Sequence, residues 1–414
     1  MNILLINHYA GSPAMGMEYR PYYIAQHWIK SGHRVTIIAS SFSHVRSVQP
    51  DVVRNTEIHE IGGVRYLWIK TSAYSGNSAK RFINILEFVF KLYLKKKFII
   101  RNFKPDVVIA SSTYPLDIYP AAYISKKAGA KLLYEIHDLW PLSPMEIGGY
   151  SKYHPFIMLM QMAENKCYKS CDRVISLLPK TLEHCINHGL SPEKWFYVPN
   201  GINLEEVENK AEIPSPQKSK LETIKTKYKF LLGYTGSIGM ANALDAFVLS
   251  AEKLSCEDVA VIIVGIGPEK DKLLKLKNDH KISNVFFIDS VPKNTIQDLL
   301  GYFDFLFLSL KKIPLYRFGI SMNKLFDYMY SGKPVIQAIE AGNDIVSDAK
   351  CGYTIKPEDS DAIVDAVKKL ISLSNVEKKQ MGENGRQYVL KNHEYSVIAD
   401  HFIKCLEFDS QKLK

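Results

Sequence analysis

The chain of 414 residues is 46% hydrophobic and 23% charged, which excludes a disordered protein and exceeds a single compact core, so two domains are expected. Its formal charge of +10 lies almost wholly in residues 1–205, with 24 Lys/Arg against 15 Asp/Glu, while residues 206–414 hold 29 against 28. The first half therefore favours an anionic partner: nucleic acid, a membrane surface or a phosphorylated substrate.

The opening "MNILLINHY" has no basic segment ahead of it, and no apolar run in the chain approaches the ~20 residues that cross a bilayer. It reads as a first buried strand, and the protein as cytoplasmic. Helix "RPYYIAQHWIKSG" and strand "HRVTIIASS" follow, then a hairpin over 51–68 around Gly62-Gly63, strand "DVVIASS", helix "LDIYPAAYISKKAG", and strands "KLLYEIHD" and "DRVISLL". Continuous apolar, β-branched runs separated by helices indicate a parallel sheet covered on both faces. Polar residues 206–228 read as a linker. The alternation then resumes with "FLLGYTGSI", "VAVIIVGIG", "VFFIDS", "FDFLFLSL", "PVIQAI" and "GYTIK", ending in two helices. The fold class is α/β: two doubly wound domains in tandem, whose ligands sit outside the carboxyl ends of the strands.

Gly-containing turns follow several strands: Gly11 and Gly16 in "HYAGSPAMGMEYRP", Gly236, Ser237 and Gly239 in "YTGSIGMANAL", Gly265 and Gly267 in "VGIGPEK", and Gly319 and Ser321 in "FGISMNKLFDYMYSGKPV". Such turns aim backbone N–H groups and a helix amino end at an anion, so a diphosphate site is expected beside Lys324 and Arg317. Asp327 follows Asn323 and Lys324 by one helical turn and suits the two hydroxyls of a ribose. The bland alternative is a surface acid paired with Lys324. In "YEIHDLWP", His137 and Asp138 end a strand; His137 can bond a sugar hydroxyl with Asp138 fixing its orientation, or it can be a structural histidine.

Two further segments invite a reading. Cys167-x3-Cys171-x12-His184-x3-His188 has the spacing of a zinc finger, but it spans helix, buried strand and helix, so the match is read as chance and no metal is expected. Six cysteines without a dense framework fit a reducing compartment. Residues 81–105, with seven basic residues and one acid, have apolar side chains on nearly all helical faces. They read either as an interfacial helix on anionic lipid or as an ordinary sheet-packed helix with a solvated basic end.

Together these residues resemble the retaining GT-B glycosyltransferases of family 4, especially bacterial enzymes of surface-polysaccharide synthesis. The resemblance rests on "AENKCYKSCDRVISLLPKTLEHCINHGLSPEKWFYVPNGINLEEV", "VGIGPEKDKL", "NVFFIDSVPK" and "NKLFDYMYSGKPV…CGYTIKPEDSDAI…GENGRQYV", with "GMEYRPYYIAQHW" and "YEIHDLWPLSP" similar to first-domain loops. It implies two Rossmann-like domains facing a central cleft: residues 1–205 on the acceptor side, a linker over 206–228, a nucleotide-sugar domain over 229–395, and a helix over 396–414 packing back on the first domain. It further implies a UDP-sugar donor, possession of no cofactor or metal, and a lipid-linked saccharide acceptor in capsule, O-antigen or exopolysaccharide synthesis. The protein would lie peripherally on the inner face of an anionic membrane and bind no nucleic acid.

Residue by residue, the resemblance puts Asp327 where a family Glu takes the ribose hydroxyls, Lys324 and Arg317 on the diphosphate, Val291 near the base and His137 before the donor sugar. Gly16, Glu18 and Asp138 belong to the first-domain loops. Gly236, Ser237, Gly265, Gly267, Gly319, Ile320, Ser321 and Asn323 line the donor. Two positions depart from the family: Gly319 stands where a second Glu is common, and Ser237 and Asn242 replace the usual Arg and Lys, which leaves Lys324 and Arg317 as the nearest cations for the leaving diphosphate. Fewer hydroxyl contacts suit a deoxy or acetamido sugar. Rival readings are a sugar-nucleotide epimerase of the same fold, a nucleotide-sugar-binding protein without turnover, and a nicotinamide dehydrogenase, which the spacing of "HYAGSPAMGME" disfavours.

Overall fold

The computed structural model describes residues 1–16, 19–76 and 79–407. In chain order the elements are β1 (Asn2–Ile6), α1 (Arg20–Lys30), β2 (Arg34–Ser40), β3 (Thr56–Ile61), β4 (Val64–Ile69), α2 (Ala79–Leu94), α3 (Lys96–Phe103), β5 (Val107–Ala110), α4 (Ile118–Ala128), β6 (Lys131–Ile136), α5 (Leu142–Glu146), α6 (Pro155–Ser170), β7 (Arg173–Ser176), α7 (Leu182–Asn187) and β8 (Trp195–Tyr197). There follow α8 (Leu204–Glu208), α9 (Ser215–Lys225), β9 (Phe230–Thr235), α10 (Asp245–Leu254), β10 (Val259–Val264), α11 (Lys270–Asp279), β11 (Val285–Ile288), α12 (Ile296–Gly301), β12 (Phe305–Ser309), α13 (Asn323–Tyr330), β13 (Val335–Ala338), α14 (Ile345–Asp348), β14 (Gly352–Ile355), α15 (Ser360–Ser372), α16 (Asn375–Asn392) and α17 (Tyr395–Leu406). They form two compact units, one of residues up to Asn200 together with the segment beginning at Tyr395, the other Gly201–Glu394.

The first unit holds an eight-stranded sheet ordered β3-β4-β2-β1-β5-β6-β7-β8, parallel except for the β3/β4 hairpin at Gly62-Gly63. β2 is buried at every position after Arg34, as a strand covered on both faces must be, whereas edge strand β3 alternates between exposed and half-buried residues. Helix α17 completes this unit by packing on α1. Trp28 meets Phe402 edge-on at 5.0 Å and donates its indole N–H to the Ala399 carbonyl at 3.1 Å. The segment 81–105 is two helices, α2 and α3, broken at Lys95. They bury Ile85, Phe88, Leu92 and Ile99, and leave Ile83, Phe90 and Leu94 exposed.

The second unit has a fully parallel sheet ordered β11-β10-β9-β12-β13-β14. Alternate residues of each strand feed opposite cores: Leu231, Leu306 and Leu308 pack with α13 on one face, while Leu232, Phe305 and Phe307 pack with α10 and α15 on the other. The expected linker over 206–228 is a correction. Residues 215–225 are helix α9, and its Leu221 and Ile224, one turn apart, are buried in the core of this unit. The polar residues between them occupy the solvated side, which gave the segment its linker-like composition.

In both sheets the strand order reverses, between β1 and β5 in the first unit and between β9 and β12 in the second. The loops leaving these strands diverge to opposite faces, so a crevice opens at their carboxyl ends.

Candidate active site

In the second unit the reversal point is bounded by the turn after β9 and the segment from β12 to α13. Gly236 has φ +128, and a Cβ built on it would lie 2.8 Å from Cε and 2.9 Å from Nζ of Lys324. Lys324 stands in the first turn of α13, a helix whose amino end has no side-chain cap. Its ammonium donates to the Tyr234 phenol oxygen at 2.8 Å and lies 4.2 Å from that ring's centroid. No carboxylate pairs with it among the described residues, and burial pulls its pKa down to about 7. A half-buried amine beside an uncapped helix terminus and a glycine turn is an arrangement that gains from an anion.

The other turn residues behave differently from one another. A Cβ on Gly265 would fall 1.9 Å from the Gly236 carbonyl oxygen, and one on Gly267 2.3 Å from that of Ile238. Both glycines thus let the β10 turn pack behind the β9 turn. The expectation that every such turn aims its amides at a ligand needs correction: Gly236 N–H donates to Val264 O, Gly265 to Ile288 O and Gly319 to Tyr316 O, at 2.9, 3.0 and 2.9 Å. Ile320 N–H donates to the Asn343 side chain at 2.8 Å. These amides continue the sheet ladder or fix the loop. Ser237 is exposed, and its carbonyl accepts from Tyr234 Oη at 2.6 Å and from Asn242 Nδ2 at 3.0 Å. Ser321 is half-buried and Asn323 exposed.

Asp327, three residues on from Lys324, does not pair with it. It borders a small cavity with Glu206, Lys293 and Gln297. Lys293 is bonded to Glu206 at 2.9 Å, and Gln297 donates to the Asp327 backbone carbonyl at 3.1 Å. Burial pushes the Asp327 carboxyl up to about 7, against the pull of Lys293. Arg317 is exposed in the turn before α13; its guanidinium donates to Pro314 O at 2.7 Å and lies 4.4 Å from the Phe318 ring centroid. Val291 is half-buried against the core of the unit.

In the first unit, His137 follows β6, one strand out from the reversal point. Its Nε2 lies 3.1 Å from Glu135 Oε2 and 3.0 Å from Ser111 Oγ. A carboxylate only accepts, so Nε2 carries the proton of the neutral ring and Nδ1 is its acceptor. Glu135 Oε2 also receives Ser111 Oγ at 2.6 Å, and Oε1 receives Arg20 Nε at 3.0 Å. Burial raises the Glu135 carboxyl, but Arg20 and then His137 outweigh it and hold it at about 2. Arg20 further donates to the carbonyls of Val198, at 3.0 Å, and Pro199.

The orienting role expected of Asp138 is therefore filled by Glu135. Asp138 accepts from Leu139 N–H at 3.0 Å and Ser143 Oγ at 2.6 Å, closing the turn into α5. The missed signal was the period of two along "YEIHD": residues 135 and 137 share a face of the strand, and 138 does not. Gly16 has φ +99 and bridges to Arg46, while Glu18 lies outside the described residues. Sequence reasoning also missed Arg81, whose guanidinium lies 5.6 Å from the Tyr9 ring and 5.9 Å from the Trp140 ring.

The family model for Glycosyltransferase Family 4 matches residues 15–206, and that for Glycosyl transferases group 1 matches residues 218–388. Among curated proteins the chain is 22% identical over 245 residues to an uncharacterised glycosyltransferase of Methanocaldococcus jannaschii, covering 58% of this chain and 59% of the relative. It is 22% identical over 202 residues, 48% of this chain and 49% of the relative, to a candidate glycosyl transferase of colanic acid biosynthesis from Escherichia coli K12. The chain thus spans about half to three-fifths of the length of the curated relatives it matches.

Solved structures match over nearly the whole chain. A sucrose-phosphate synthase of Thermosynechococcus elongatus aligns with a TM-score of 0.72 at 15% identity, covering 98% of both chains. HepE of Anabaena, in complex with UDP and glucose, aligns with a TM-score of 0.66 at 16% identity, covering 98% of this chain and 99% of its own. These likenesses establish the fold as GT-B. With a Family 4 model over the first half and a group 1 model over the second, the chain belongs to the GT-B glycosyltransferases.

Proposed function

We propose that this chain transfers a sugar from a UDP-sugar to a lipid-linked saccharide, with retention at the anomeric carbon, in the synthesis of a bacterial surface polysaccharide. The observation that carries the donor half of this reading is Lys324: an amine without a carboxylate partner among the described residues, over Gly236, at the uncapped start of α13. The developing charge of the transfer is on the departing diphosphate. A fixed ammonium and helix N–H groups stabilise that charge most when it is fully formed, so the step proceeds without a divalent ion. Asn242 and Ser237 supply no cation, and Lys324 takes their part; Arg317 joins it if its turn rearranges around the ligand.

Asp327 takes the ribose hydroxyls as a two-oxygen acceptor. His137 bonds a hydroxyl of the transferred sugar through Nδ1, with Glu135 and Ser111 holding the ring. The relatives support the class of substrate: one solved neighbour holds UDP and glucose, and one curated relative is named for colanic acid biosynthesis. No helix among the described residues is long and apolar enough to cross a membrane. Exposed Ile83, Phe90 and Leu94 on α2, with the basic residues of α3 beside them, suit peripheral contact with an anionic inner leaflet.

The test is UDP release. Purified protein is first screened by thermal shift against UDP-, GDP- and TDP-sugars. The donor that stabilises it is then incubated with membrane extracts of lipid-linked saccharides, and free UDP is quantified by chromatography. Stabilisation with acceptor-dependent UDP release supports transfer. Conversion to an isomeric UDP-sugar without UDP release would mark an epimerase, and stabilisation without either would mark a binding protein.

A further inference from the structure

Helices α6 and α7, which flank β7, carry a polar cluster that the transfer reaction does not use. Gln161, Glu164, Asn165 and Tyr168 stand at i, i+3, i+4 and i+7 on one face of α6, opposite His184 in α7 and His188 at its end. The Glu164 side chain is 1% exposed. Its Oε1 receives Tyr168 Oη at 2.9 Å and lies 2.8 Å from His184 Nε2, and its Oε2 receives Gln161 Nε2 at 2.7 Å. Among the described residues the only ion-pair partner of this carboxylate is an imidazole. Such deep burial of a carboxylate calls for a full positive charge nearby.

Gln161 Nε2 also lies 2.9 Å from Asn165 Oδ1 and 3.1 Å from His188 Nδ1, so its two amide hydrogens are shared among three neighbours. His188 Nδ1 stands 3.0 Å from Asn165 Oδ1, which ties the imidazole to the same face of α6. The two imidazole rings are 4.5 Å apart, and one ligand atom from each of Glu164, His184 and His188 lies within 4.8 Å of the others.

We propose that Glu164, His184 and His188 bind a divalent cation of the zinc class, which staples α6 to α7. Two imidazoles and a carboxylate are a ligand set that Zn²⁺ favours, with a fourth position left to water. Ligands about 2.0–2.1 Å from a tetrahedral ion stand roughly 3.3 Å apart, so the His184–Glu164 pair opens by about 0.5 Å to admit it. Asn165 on His188, and Tyr168 and Gln161 on Glu164, provide the outer hydrogen bonds that orient metal ligands. Cys167 and Cys171, which complete the zinc-finger spacing, take no part: both are buried, and Cys167 Sγ faces Pro115 O at 3.9 Å.

The test uses the full chain, stripped with chelator and then given Zn²⁺ alone. It should take up one equivalent more than the His188→Ala chain, with an X-ray absorption shell of nitrogen and oxygen only. At saturating Zn²⁺ its melting temperature should rise by about 5 °C. Glu164→Gln should lose the uptake, and the Cys167→Ser/Cys171→Ser double variant should keep it. Equal uptake by His188→Ala, sulfur in the metal shell, or no uptake by the parent chain would each overturn the site. His188 is only partly buried, so its variant stays informative should Glu164→Gln fail to fold.

Discussion

The ammonium of Lys324 and the phenol oxygen of Tyr234 are 2.8 Å apart, and this bond carries the amine across the Gly236 turn. Tyr234 is neutral, with burial raising its pKa, so it positions Lys324 without cancelling its charge. Lys324→Ala should therefore cut turnover by about 100-fold or more, the scale seen when one fixed donor to a developing anion is lost. Folding should not be weakened, because the removed group is a cation kept from water, whose burial costs the native state. Steady-state kinetics beside a melting curve check this; unaltered kcat would remove Lys324 from the chemistry.

Donor binding should depend on pH through the same group. Burial brings the Lys324 pKa to about 7 in the free protein, so the amine is charged at pH 6 and mostly neutral at pH 8.5. A UDP-sugar, whose diphosphate loses no proton in this range, binds the charged form. Affinity should fall as pH rises above 7, and at pH 8 binding should draw in a proton. Calorimetry in two buffers of different ionisation heat reads that proton directly, and Lys324→Met should abolish it.

Asp327 is costly to the fold as an anion. Its carboxyl sits at about 7 in the native state against 3.8 for the ordinary group, so between those values the folded chain holds the proton more tightly than the unfolded one. Stability falls as pH climbs from 4 to 7 and stays reduced above 7. Asp327→Asn should consequently be more stable than the parent at pH 8, by on the order of 2 kcal/mol, with the gain shrinking toward pH 4. It should also bind UDP about 10-fold more weakly, the worth of a hydrogen bond to a charged group. A gain in stability with unchanged affinity would leave the carboxylate without a ligand role.

What the sequence made legible follows its periodicities. The buried strands were plain because a sheet covered on both faces demands continuous apolar runs, and "VAVIIV" has no other stable place. Helix α9 was hidden because only Leu221 and Ile224 mark its inward stripe. The donor turn was visible as glycines, yet their reasons differ: Gly236 makes room for Lys324, whereas Gly265 makes room for Gly236. Spacing alone gives no sign of which neighbour a glycine accommodates. The Arg20–Glu135 bond joins residues 115 apart, and only the folded sheet brings them together.

The exposed apolar face of α2 gives a membrane prediction. Phe90 is 63% and Leu94 60% exposed, and Phe90 lines an apolar groove together with Leu86 and Leu159. Sedimentation with vesicles containing anionic lipid should capture the parent chain at low salt. Phe90→Asp with Leu94→Asp should reduce capture several-fold while leaving UDP-sugar binding intact, because the face gains charge where it would meet acyl chains. Equal capture of parent and variant would assign α2 to ordinary surface.

Arg20 and Glu135 are 4% and 1% exposed, and their pairing supports His137 from behind. Glu135→Gln keeps the shape but leaves the Arg20 guanidinium buried with only carbonyl and amide oxygens around it, which should cost about 3 kcal/mol at pH 7. The native carboxyl lies at about 2, below its ordinary 4.5, so its stabilisation is complete above pH 4.5 and is lost as pH falls toward 2. Urea midpoints of parent and variant should thus converge between those values, whereas a defect of packing would persist at every pH. The variant also loses the charge that favours a protonated His137 Nε2, so kcat should drop about 10-fold with KM for the donor little changed. Stability equal to the parent at pH 7 would show that the buried guanidinium is satisfied by the carbonyls of Val198 and Pro199 alone, and that Glu135 is present for His137 rather than for the fold.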